Sequence, residues 1–117
     1  MTKNTYTKKA EELIKDLGLY KSSLEYYAEI KDCAELTLRQ HREIEQKEKY
    51  LTRTVAAVER ALSMLNETER DVVSKLYFDS SMTFDDVCES CALERSSIYR
   101  YRSSALKKIA KAIYGEA

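Results

Sequence analysis

At 117 residues the chain has room for one ordinary domain, or for a small domain with an extended helix. Proline is absent and the only glycines are Gly18 and Gly115, so a multistranded β fold with tight turns is excluded and an all-α fold is expected. The formal net charge is zero, which argues against a uniformly basic nucleic-acid binder but not against a local basic face.

Residues 1–4 are polar and expected to fray. From Tyr6 to Leu17 the apolar residues Ala10, Leu13, Ile14 and Leu17 fall at helical spacing, and Gly18 supplies a stop. Between Tyr20 and Leu65 no residue breaks a helix. Steps of three and four lead through Tyr27, Ile30, Ala34, Thr37, His41, Ile44, Glu48, Leu51, Val55, Val58, Leu62 and Leu65. A seam of that period needs a partner helix. The partner is either the same segment of a second chain or the first helix folded back, with a bend expected near Thr37–Glu48. Residues 1–62 are thus read as an N-terminal, coiled-coil-like oligomerisation region.

Residues 63–117 change character. Asn66 is an N-cap, with Glu67 and Glu69 in the first turn as helix-start charges and Val72, Val73, Leu76 and Tyr77 facing a core. After a loop at Ser80–Met82, Thr83 and Asp86 form a capping-box-like start, and Phe84, Val87, Cys88 and Cys91 point inward. Ala92–Leu93–Glu94 is a turn, and a last helix runs from Arg95 to Ile113 or Tyr114. On that helix Ile98, Tyr101, Ala105 and Ile109 share one side. Ser96, Arg100, Ser103 and Lys107 take the opposite pole, flanked by Ser97, Tyr99 and Ser104. This outer face carries hydroxyls and cations and no carboxylate, as a helix entering the DNA major groove requires. The local charge agrees: residues 94–117 hold six cations against two carboxylates, whereas residues 63–93 hold two against seven.

From Leu65 to Ile109 the chain resembles region four of bacterial sigma factors. The likeness runs through Leu65, Glu69–Arg70, Leu76 and Tyr77. It continues through Thr83–Phe84–Asp85–Asp86–Val87, then Leu93, Arg95, Ile98 and Ala105–Leu106–Lys107–Lys108–Ile109. A long helical part ahead of a lone domain of this kind resembles small phage and prophage transcriptional regulators of the ArpU and RinA types. The resemblance implies a helix-turn-helix with base-edge contacts from Arg95, Ser96 and Arg100 and phosphate contacts near Ser97 and Tyr99. With Ser103 and Lys107 from the helical wheel, these seven residues form the expected DNA-binding site. Three positions depart from the pattern: Glu94 where a hydroxyl cap is usual, Cys88 where glycine is frequent, and Ser96 where glutamate is common.

The expected partners are double-stranded DNA, a second or further copy of the chain through the N-terminal helices, and RNA polymerase as an alternative, with no membrane. Two competing readings are a polymerase- or sigma-interacting module and a DNA-packaging subunit of the phage terminase type. Cys88 and Cys91 have CxxC spacing, but without two further ligands or a preceding strand they read as small buried residues. His41 lies on the seam as a lone polar residue rather than a metal ligand. No phosphate loop, nucleophile arrangement or metal-spaced acid set accompanies the carboxylates, so no enzyme, cofactor or metal is expected. Three cysteines, no secretory signal and no membrane-length apolar run place the chain in the cytoplasm.

Overall fold

A computed structural model describes residues 3–32 and 35–115, and all secondary structure among them is helical. Helix α1 (Lys3–Asp32) and helix α2 (Leu38–Ser63) form an antiparallel hairpin, tied by Lys21–Glu59 at 3.2 Å and Lys31–Glu48 at 2.7 Å. Helix α3 (Glu67–Val73) runs directly into a π-helical turn, Ser74–Phe78. Helix α4 (Phe84–Cys91) and helix α5 (Arg95–Tyr114) complete the chain. None of these helices is long and apolar enough to cross a membrane.

Two expectations for the N-terminal half are corrected. The first helix does not stop at Gly18, nor does a fraying segment occupy Lys3 and Asn4; α1 runs from Lys3 to Asp32. A helical glycine costs about 1 kcal/mol relative to alanine, and Leu17 on one side with the α2 contacts on the other outweighs it. The long helix expected from Tyr20 to Leu65 is two helices. Its break precedes Thr37, because Thr37 and Gln40 make a capping box: the Gln40 N–H donates to Thr37 Oγ1 at 3.2 Å, and the Thr37 N–H donates to Gln40 Oε1 at 2.8 Å. The expected seam is therefore divided between α1 and α2, which pack against each other within one chain. Its Ala34 lies outside the described residues.

The core has two parts. The larger unites Ala10, Ile14 and Leu17 of α1 with Val58 and Ala61 of α2, Leu65, Val73 of α3, and Ala105, Leu106, Ile109 and Ala110 of α5. Alanines at Ala10, Ala61, Ala105 and Ala110 let the helices approach closely, while each buried isoleucine contributes about 1.5–3 kcal/mol. The smaller part centres on Val72, Val87 and Ile98, with Phe84, Cys88, Cys91, Leu93 and Tyr101 packed around it. The buried stripe of α5 serves both parts, so α5 is fixed along most of its length.

The caps expected at Asn66 and Thr83 are present, and Gly115 ends α5 in the left-handed conformation at φ 74°. Between α4 and α5 the turn is closed by Leu93 N–H donating to the Cys88 carbonyl at 3.0 Å and Ala92 N–H donating to that of Glu89 at 3.2 Å. This places Ala92 at φ 55°, a left-handed conformation that glycine adopts freely and alanine does not.

Two opposite backbone substitutions should therefore both stabilise. A Cβ at Gly18 would meet nothing within 4 Å, so Gly18→Ala should add up to about 1 kcal/mol. Ala92→Gly should add about 1 kcal/mol by relieving the left-handed strain. Urea unfolding monitored by circular dichroism measures both.

Candidate nucleic-acid interface

The seven residues expected at the site all lie on α5, beginning at its first residue. Arg95, Ser96, Tyr99, Arg100, Ser103 and Lys107 are exposed, and Ser97 is half-buried. Directly opposite, Ile98, Ala105 and Ile109 are completely buried. Tyr101 packs against the smaller core, on the side its wheel position predicts.

The cations of α5 divide into two sets. Arg102 turns inward to Glu11 of α1 at 3.3 Å, and Lys108 donates to Glu69 of α3 at 2.7 Å. Arg100 and Lys107 form no ion pair among the described residues; with Ser103, Ser104 and Lys108 they line a shallow polar groove. Arg95 is intermediate, its guanidinium 2.7 Å from Asp85 and 4.6 Å from the centre of the Phe84 ring. Phe84 also stacks on Tyr99 at 4.9 Å. The starts of α4 and α5 are thus joined across the surface by one exposed ion pair and one aromatic pair, together a modest attachment.

Glu69 holds α5 against α3, a positioning role that the sequence reading missed. It does lie in the first turn of α3 as expected, but it is 1% exposed. Its Oε1 accepts from the Asn66 N–H at 3.0 Å and from Lys108, and its Oε2 accepts from the Ser104 hydroxyl at 2.6 Å. Burial pushes its carboxyl up, but the bonds from Lys108, Ser104 and Asn66, with the Lys108 charge, outweigh burial and hold it below its ordinary value. The spacing of Ser104 and Lys108, one turn apart on α5, was the available signal. A second tether lies at Glu11, which accepts from the Tyr77 hydroxyl at 2.5 Å. Burial, then that bond, push the Tyr77 phenol well above its usual value, so Tyr77 is a donor at any ordinary pH.

Cys88 and Cys91 pack beside the smaller core, and burial followed by Asp71 pushes the Cys91 thiol up, away from the thiolate that metal or redox chemistry needs. A groove of about 670 Å³ between α1, α2, α3 and the π-helical turn shares no lining residue with α5. Its lining includes Lys15, Lys21, Glu59 and Arg70. Compared with protein-family models, with curated proteins and with solved structures, the chain matches none.

Glu69→Gln should destabilise by about 1–3 kcal/mol, since one oxygen would become a donor facing donors. A carboxyl lowered in the folded state contributes stability that is present above its unfolded value and lost as pH falls through the folded one. Wild-type stability should thus drop below about pH 4 more steeply than that of the variant, as urea titrations at several pH values would show.

Proposed function

We propose that this chain is a sequence-specific DNA-binding transcriptional regulator, of the kind encoded by phages and prophages, which reads the major groove with α5. The observation that carries the reading is the division of α5. Its apolar side is buried, Arg102 and Lys108 are spent on internal carboxylates, and Arg100, Ser103 and Lys107 are left outward on one groove.

The connected helices α4 and α5 act as a helix-turn-helix in this reading. Arg100 presents its guanidinium fork to the O6 and N7 of a guanine, the geometry that bidentate recognition needs. Ser96 and Ser103 offer short hydroxyls to base edges, while Lys107, Ser97 and Tyr99 meet phosphates that set register. Arg95 joins the contact by leaving Asp85; an exposed pair is worth only about 0.2–1 kcal/mol, so the exchange costs little. Asp85 and Asp86 in the first turn of α4, both exposed, repel phosphate and restrict how the first helix crosses the backbone. The same exposed acids favour the second reading, a module that grips a basic surface of RNA polymerase or a sigma factor.

Arg100→Ala should lose about 1–3 kcal/mol of specific binding and relax the preference at one base pair. Lys107→Ala should weaken binding to all sequences alike and make the salt dependence shallower by about one phosphate contact. Binding to duplexes selected from random DNA, measured across salt concentrations, tests both; affinity insensitive to salt would favour the protein-binding module instead.

A further inference from the structure

The outward side of α2 carries a row of cations that the α5 reading does not use. At about 100° per residue, Arg39, Arg42, Lys49, Arg53 and Arg60 fall within an arc of about 80°, and all five are exposed. The apolar stripe that α2 packs inward, Leu51, Val55, Val58 and Leu62, lies on the opposite side of the helix, so α1 does not shield the row. From Arg39 to Arg60 the row extends roughly 30 Å.

The acids of α2 are sorted away from it. Glu48 turns to Lys31 at 2.7 Å and Glu59 to Lys21 at 3.2 Å, both on α1, and Glu45 also stands near Lys31. Glu43 reaches the row at its end, 3.4 Å from Arg39. Arg42, Lys49, Arg53 and Arg60 form no ion pair among the described residues. Where α5 borders the row, beside Arg53 and Ala57, it brings Ile113 and Tyr114 and no acid. A solvated helix face ordinarily mixes signs, with acids and bases paired four residues apart. Here Lys49 and Arg53 are four apart and repel, and no carboxylate among the described residues offsets them.

One sign of charge drawn out along a helix suits a partner that is itself an extended line of anions. Four of the five cations are arginines, whose planar fork matches the oxygens of a phosphate. Gln46 and Ala57 share the arc, while the exposed Leu38 and Tyr50 stand at its edges. A protein interface is arranged the other way, apolar at its centre and charged at its rim. A helix lying on a membrane needs a free apolar face, and α2 has turned its own inward.

We propose that the Arg39–Arg60 face of α2 binds the phosphate backbone of double-stranded DNA without reading its sequence. The contact stands whether or not α5 reads bases.

Fluorescence anisotropy of labelled duplexes, one selected from random DNA and one scrambled, titrated with the full chain across salt concentrations tests it. Arg42→Gln, Arg53→Gln and Arg60→Gln combined should weaken binding to both duplexes by the same factor, at least about tenfold at low salt, and make the salt dependence shallower by about three phosphate contacts. The helical circular dichroism spectrum should not change, since all three positions are exposed. Arg100→Ala should instead lower only the preference for the selected duplex. A triple variant with wild-type affinity and salt dependence overturns the proposal and leaves the α5 reading standing. A wild type with no affinity for either duplex overturns it too. Sequence-blind binding that the triple variant loses would support the row and remove the α5 reading alone. A triple variant that loses binding to poly-glutamate while keeping its affinity for duplexes would overturn the proposal in favour of an acidic protein partner.

Discussion

The carboxylate of Glu69 fixes the relation between α3 and α5 on which the rest of the molecule depends. An anion withdrawn from water costs several kcal/mol unless its oxygens are filled. Here both are filled, from the chain entering α3 and from two side chains one turn apart on α5. The carboxylate can stay buried only while α5 keeps one rotation about its axis. That rotation sends Ile98 and Ile109 into the core and Arg100 and Lys107 to solvent. Glu11 does the same work from α1, holding Tyr77 and Arg102 together. The polar inner edge of α5 is therefore satisfied within the protein, and its outer edge is available.

This arrangement reconciles a neutral chain with a basic face. Total charge describes nothing local. The acids of α1 and α3 neutralise Arg102 and Lys108 from inside, so the cations that remain outward are few and closely grouped. Arg100 and Lys107, with Arg95 held on a weak exposed pair, make a modest electrostatic attraction. On the proposed reading, discrimination between DNA sites would come from side-chain geometry more than from charge.

The C-terminal half was legible because its signals are local. Asn66, Thr83 and Gly115 cap helices through atoms no more than a few residues away, and the buried stripe of α5 follows from the 3.6-residue period alone. The N-terminal half misled for the complementary reason. Gly18 is a stop only where packing does not resist, and the packing of Leu17 comes from residues some forty positions onward. The true break was written in Thr37 and Gln40, a capping box hidden because both positions also fit a continuing helical pattern. Glu69 illustrates the limit most clearly: its capping role is local, but the lysine and serine that bury it are 39 and 35 residues away. The π-helical turn at Ser74–Phe78 had no local signal; it swings Tyr77 toward Glu11.

Amide chemical shifts followed by nuclear magnetic resonance, as a selected DNA duplex is titrated into the full chain, test the central claim most directly. The largest changes should fall on Arg95–Lys107, with small ones at Asp85 as Arg95 exchanges its partner and none at Tyr26 or Leu38 on the arm. Changes confined to the arm, or an α5 that stays silent while the duplex binds, would contradict the account.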